Sequence, residues 1–278
     1  MDVKQILDQI NKDLTSAPAE RVIYLEGKTD PSIFYGLLGV VPLEGGVHKG
    51  TAIRGLKGLK DRGSGKDAVL DCVQIGSDNG FGGRVFGVID GDGVEFAELA
   101  RRFDAPFLGP VFTWKAYCIE SFFPRFPWNT AWGSEPNWQE ELRAYSPYVA
   151  VGRVQVLLQS ALKTLGLAKR LKPKVGELLA TVADLQDAMA KDKHRVAGFD
   201  VEVAYLSEVA RFEAALATSL VEGLALLDGK WLFSHFMTIR VRQGMQYCID
   251  EWIEHATNTC GGLPEVRDLW ERITGAPP

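Results

Sequence analysis

A chain of 278 residues is long enough for one large domain or two modest ones. Apolar residues make up 46% and charged residues 24%, enough apolar content for a core, which excludes wholesale disorder. The net charge of -5 gives no global attraction to nucleic acid, so a polyanion would have to be held by a local basic patch or by metal.

Val3, Ile6, Leu7, Ile10 and Leu14 recur at helical spacing behind a candidate cap, Asp2, and predict a helix over 2–14. After a polar turn, Val22–Leu25 reads as a buried strand. Thr29-Asp-Pro-Ser32 has the composition of a helix start, with Ile33, Phe34, Leu37 and Leu38 on the buried face and Gly39 at the end. Val40–Leu43 contains a Pro and reads as an edge strand. A short helix is expected over 52–60, where Arg54, Lys57 and Lys60 recur every three residues, and another over 68–75. Asp78–Gly83 reads as a turn, 84–90 as the central strand, 94–103 as a helix and 107–113 as a fourth strand. The alternation of strand and helix predicts a mostly parallel sheet flanked by helices.

Composition shifts at 124–138, which is rich in Pro, Trp, Asn and Gly. We read this stretch as a linker between an α/β domain at 1–123 and an α-helical domain at 139–278. In the second part, Leu178, Val182, Leu185 and Met189 form one apolar stripe, and Val203, Leu206, Val209, Phe212 and Leu216 another. Trp128, Trp132 and Trp138 are expected at an interface between domains or with a partner. Trp231, Phe233 and Phe236 read as helix core or a dimer seam, and His235 among them as a packed core residue.

None of the four cysteines belongs to a CxxC pair and the four His are scattered, which argues against structural zinc and fits a reducing compartment. The first residues lack a signal-peptide pattern and no apolar run reaches the length of a membrane span. A cytoplasmic protein without membrane contact is the expectation.

Two apolar, β-branched runs end abruptly in acids: Val22–Leu25 in Glu26, and Val85–Ile89 in Asp90-Gly-Asp92. In open α/β sheets ligands bind beyond the carboxyl ends of the strands, so Glu26, Asp90 and Asp92 are expected at one rim. Carboxylates held together stay ionised only when a cation offsets them. A divalent metal is the simplest such cation, with Mg²⁺ or Mn²⁺ suited to hard oxygen ligands. Asp30, four residues after Glu26, leans over the same rim, and Gly27 and Gly91 leave room for a substrate backbone.

Leu25-Glu-Gly-Lys-Thr-Asp30, then Val-Ile-Asp90-Gly-Asp92, then Tyr117-Cys-Ile-Glu-Ser121 resemble the Toprim domain of OLD-type nucleases. That family pairs a Glu after the first strand with an Asp-x-Asp after a later one. Its OLD-type members add an acid matched here by Asp30. Its Ile-Glu-Asn element reads Ile119-Glu120-Ser121, so Ser replaces Asn while Glu120 is kept. Gly229-Lys230, in an apolar context, looks like the Gly-Lys of the family's C-terminal helices. The likeness covers about residues 20–123 and is similar within the family to the Toprim effectors of PARIS anti-phage systems.

The resemblance implies an α/β Toprim domain followed by an α-helical domain. It also implies a Mg²⁺- or Mn²⁺-dependent endonuclease acting as a toxic effector, with RNA, tRNA above all, as substrate. Glu26, Asp30, Asp90, Asp92 and Glu120 would be ligands and Lys230 a charge on the phosphate. An ABC-type ATPase would hold the nuclease inactive, and a homodimer would form on release. Two alternatives stay open: an OLD-type DNA endonuclease, and a non-catalytic Toprim module that binds metal or nucleic acid.

Lys28, Arg54, Lys57 and Lys60 are candidate phosphate contacts near the rim. Further basic clusters occur at Lys163–Lys174 and Lys191–Arg195. No phosphate loop is present, because neither Gly27-Lys28 nor Gly65-Lys66 has a glycine five residues earlier.

Overall fold

The computed structural model describes residues 2–15, 19–56, 65–104, 109–126, 128–164, 187, 200–236, 245–259 and 261–278. The first helix, α1 (Val3–Thr15), is closed by a reciprocal cap. Asp2 Oδ1 accepts from the Gln5 amide at 2.8 Å, and Gln5 Oε1 accepts from the Asp2 amide at 3.1 Å. The chain then runs β1 (Arg21–Leu25), α2 (Asp30–Leu38), β2 (Val47–His48), β3 (Thr51–Gly55), α3 (Gly65–Gly76), β4 (Val85–Ile89), α4 (Phe96–Asp104) and β5 (Val111–Thr113). The strands form one five-stranded sheet in the order β2-β3-β1-β4-β5. β3, β1, β4 and β5 are parallel, and β2 pairs antiparallel at one edge.

Alternation along each strand divides the interior in two. Val22, Tyr24, Ala52, Val85 and Ile89 face α1 and α3, against Ile6, Ile10, Val69 and Val73. Ile23, Leu25, Ile53 and Val88 face the other way, against Ile33, Phe34 and Leu37 of α2 and the helical half. Phe34 is fully buried and meets Trp114 at 5.4 Å between ring centroids; such a side chain contributes roughly 1.5–3 kcal/mol.

The helical half contains α5 (Trp138–Arg143), α6 (Ser146–Thr164), α7 (Val201–Thr218), α8 (Leu220–Leu226), α9 (Gly229–Phe236), α10 (Met245–Thr259) and α11 (Pro264–Thr274). Phe123, on a 3₁₀ segment (Ile119–Arg125), is the centre of an aromatic cluster. Its ring meets Trp138 at 5.3 Å, Phe233 at 4.8 Å and Trp252 at 5.6 Å. Phe126, Trp132 and Trp138 are therefore buried within the chain, while Thr130, Ala131, Gly133, Ser134, Glu135 and Asn137 between them are exposed. One apolar cluster runs from the sheet through this stretch into α9 and α10.

Several sequence expectations need correction. Residues 51–55 form a strand, not a helix. Thr51, Ala52 and Ile53 are all buried between β1 and β2, and the three-residue spacing of Arg54, Lys57 and Lys60 carries no packing information. Residues 57–64 lie outside the described residues. Val40–Leu43 is not a strand: only Leu43 makes an isolated bridge to Val47, and the edge strand lies four residues later. Within 78–83, Ser77–Phe81 extends α3 by one π-helical turn that ends as Gly80 enters the left-handed region at φ 87°. On α7, Phe212 and Leu216 are buried, but Val203 and Leu206 are exposed. The stripe at 178–189 lies outside the described residues. Among the described residues, no helix is long and apolar enough to cross a membrane.

Candidate functional site

β1 and β4 are neighbours, yet their chains leave in opposite directions, β1 through α2 to β3 and β4 through α4 to β5. Ligands in open α/β sheets bind beyond the carboxyl ends of strands at such a point. Glu26 is the residue after β1 and Asp90 the residue after β4. The Asp90 amide donates to Glu26 Oε1 at 2.8 Å, which locks the two strand ends together. β5 ends close by, and the 3₁₀ segment after it carries Glu120.

Asp30 opens α2 and folds back on the same loop: its Oδ2 accepts from the Gly27 amide at 2.6 Å. A Cβ on Gly27 would collide with the Asp30 carboxylate, and one on Gly91 with the Ala116 carbonyl. These glycines therefore serve close packing within the chain, and the expectation that they make room for substrate is replaced by that reading. Asp30 is 1% exposed, Asp90 6% and Glu120 2%.

From the far half of the chain, α9 delivers Lys230. Its Nζ lies 3.4 Å from Asp90 Oδ2 and 3.9 Å from Glu120 Oε2. Asp228 Oδ1 caps α9, accepting from the Lys230 amide at 3.0 Å and the Trp231 amide at 3.1 Å. Gly229 sits against the 3₁₀ segment so closely that a Cβ there would strike the Ser121 backbone nitrogen. Ser121 Oγ in turn donates to the Leu227 carbonyl at 3.1 Å and accepts from the Cys118 amide at 3.2 Å. Ser121 thus ties the Glu120 turn to the start of α9.

Burial sets the electrostatics. It pushes the Glu120 carboxyl up to about 7, although Lys230 pulls the other way. Burial likewise raises Glu26, Asp30 and Asp90, the last well above the ordinary carboxylate range. Burial alone would lower Lys230, but Glu120 and Asp90 outweigh it and hold the ammonium protonated.

Asp92 differs from the others. Its side chain is 54% exposed and its Oδ2 pairs with Lys66 Nζ at 3.3 Å, at the start of α3. It is one of two non-glycine residues at positive φ, at 50°, among the described residues. For a non-glycine residue that conformation costs of order 1–3 kcal/mol and persists only where the surroundings impose it. Here the Asp92 amide donates to the Tyr117 carbonyl at 3.0 Å, and Arg153 Nη1 of α6 approaches the Asp92 carbonyl at 3.5 Å.

The structure thus brings Glu26, Asp30, Asp90, Glu120 and Lys230 together, with Asp92 on the exposed side. Arg54 is committed within the chain: its Nε pairs with Asp13 Oδ1 of α1 at 3.2 Å, and its Nη1 donates to the Gly46 carbonyl at 3.2 Å. Lys28 is exposed on the loop between β1 and α2; Lys57 and Lys60 lie outside the described residues. Lys66, Ser121, Asp228 and Arg153 are not among the site residues expected from sequence; Gly65-Lys66 and the Ile119-Glu120-Ser121 element are the local traces of two of them.

Among the described residues, no group of three or more His, Cys, Asp and Glu is placed closely enough to hold one metal ion as it stands. The acids surround an ammonium instead. Their chemistry nevertheless fits a hard divalent cation: all are oxygen donors, and Asp30 Oδ1 and Glu120 Oε2 are buried without a hydrogen-bond partner. Compared with known proteins, the chain matches no family model and no curated protein sequence.

Proposed function

We propose that this chain is a Toprim-type, Mg²⁺- or Mn²⁺-dependent endonuclease of the OLD-like kind, with RNA, and tRNA in particular, favoured as substrate. The observation that carries the reading is the gathering of acids from two adjacent parallel strand ends, Glu26 and Asp90, with Asp30 and with Glu120 of the 3₁₀ segment after β5, beside Lys230 at the switch point of the sheet. Glu26, Asp90 and Asp92 would hold the cation, with Asp30 and Glu120 beside them. A divalent cation bound there supplies Lewis acidity and a water of lowered pKa. Lys230, half-exposed at 45%, offsets charge that builds on the phosphate oxygens. Glu26 keeps the two strand ends in register through the Asp90 amide, and Asp30 holds the Gly27 loop.

The motif likeness to PARIS-type effectors supports the rest of the proposal: toxicity on release from an ABC-type ATPase partner, and self-association when active. The test uses purified, partner-free protein with RNA and DNA substrates. Cleavage is expected with Mg²⁺ or Mn²⁺, none with chelator, and none for Glu26→Ala of normal melting temperature. Undiminished cleavage in excess chelator rejects the metal, and sequencing of the cut ends decides RNA against DNA.

A second reading is a non-catalytic module whose acids are a structural cluster neutralised by Lys230. The lack, among the described residues, of a placed three-residue ligand group favours it. Absence of divalent-dependent cleavage on every substrate, with a well-folded protein, would select this reading.

A further inference from the structure

The Lys230 ammonium occupies the space between Asp90 and Glu120, where a cation offsetting these carboxylates would act. Three features describe how it is held. The backbone is fixed, because Asp228 caps α9 and Gly229 is pressed against Ser121. The side chain is only loosely bound: 3.4 Å and 3.9 Å exceed the roughly 2.7–2.9 Å of a tight ammonium–carboxylate bond. The neutralisation is incomplete, since one ammonium faces Asp90, Glu120 and Asp30, and Asp30 Oδ1 and Glu120 Oε2 keep no hydrogen bond. A side chain with four rotatable bonds on a fixed backbone, 45% exposed, can leave by rotation alone.

We propose that Lys230 is a displaceable counter-cation: its ammonium holds the acids together in the cation-free protein and competes with a divalent ion for Asp90 and Glu120. The inference rests on the metal reading above and adds a role to it. Lys230 leaves the carboxylates when the ion arrives and turns its charge outward to the mouth of the site, where an anionic phosphate would take the place of its former partners. A lysine whose ammonium stood away from the carboxylates, serving only the phosphate, would leave ion affinity nearly unchanged when removed; a competitor seated between them would not.

The experiment is calorimetric titration of the whole chain with Mn²⁺ at one pH, for the wild type, Lys230→Met, Lys230→Gln and the control Lys4→Met, exposed on α1. Displacement predicts that both Lys230 variants bind Mn²⁺ at least about tenfold more tightly than the wild type. It also predicts that they melt at lower temperature in chelator and regain that loss when Mn²⁺ is added, while Lys4→Met follows the wild type. A variant that is unfolded in chelator and folds on adding Mn²⁺ supports the proposal equally. Equal or weaker affinity in both Lys230 variants overturns it while leaving the metal reading in place. No Mn²⁺ binding by any of the four proteins overturns the metal reading itself, and the inference with it.

Discussion

Glu120 is the residue whose protonation says most about the site. Its carboxyl is pushed from an ordinary 4.5 up to about 7 by burial, against the pull of Lys230. The folded state therefore holds this proton more tightly than the unfolded chain does. The resulting contribution to stability is fully present below about pH 4.5 and is lost as pH rises through about 7. Glu26, Asp30 and Asp90 are raised by burial as well and act with the same sign. In chelator, the melting temperature is expected to fall between about pH 5 and about pH 8, and Glu120→Gln to flatten that fall. Equal pH profiles for the two proteins would show that Glu120 is not buried ionisable charge. A second prediction concerns Gly229. A Cβ there meets the Ser121 backbone, so Gly229→Ala must push α9 from the 3₁₀ segment, at a cost of about 1–3 kcal/mol. Lys230 is carried away with it, so cleavage should drop more than thermal stability does. An unchanged melting curve would mean that the contact is not tight.

At the scale of elements, α1 is held to the sheet by a buried polar network as well as by apolar packing. Asp13, on α1, accepts from Tyr24 Oη of β1 at 2.9 Å and pairs with Arg54 of β3 at 3.2 Å. Asp13→Ala leaves that hydroxyl and a mostly buried guanidinium without their partner, and about 3 kcal/mol of stability should be lost in denaturant titration. A loss below about 1 kcal/mol would place the network in water's reach. Such a variant should keep its carboxylate rim, because the hydrogen-bond partners of Asp13 are Gln9, Tyr24 and Arg54 and none of them bonds to Glu26 or Asp90. The elements that were legible in advance share one property. β1, α2 and β4 each have an unbroken local signature: apolar runs stopped by acids, or Thr-Asp-Pro before a helical stripe ended by Gly39. β3 was misread because its three buried residues are too few to display a period, while the lysines after it mimic one. Lys230 was anticipated through motif likeness alone. Its contact with Asp90 spans 140 residues, and nothing local in the chain announces a distance of that kind.

For the whole molecule, the chief consequence is cooperativity. The apolar cluster that includes Ile23 and Val88 of the sheet also includes Trp138, Phe233 and Trp252 of the helical half. Residues 1–123 produced alone would expose Phe122 and Phe123, each 2% exposed in the full chain. That fragment is expected to be aggregated or to lack a cooperative transition, whereas the full chain should unfold its sheet and its tryptophan cluster together. A soluble 1–123 fragment with a sharp melt at the full chain's temperature would show two independent units.

The sheet has little to offer at its margins. On one side β2 contributes two residues, and on the other β5 contributes three among those described. Rows of free backbone amides and carbonyls as short as these make poor templates for another strand, and short edges are one way native proteins avoid fusing edge to edge. A second copy of this chain, or any partner protein, would therefore find no long strand edge to pair with among the described residues. Extending β2 or β5 should lengthen that edge and produce insoluble protein, which sedimentation of the extended variants checks.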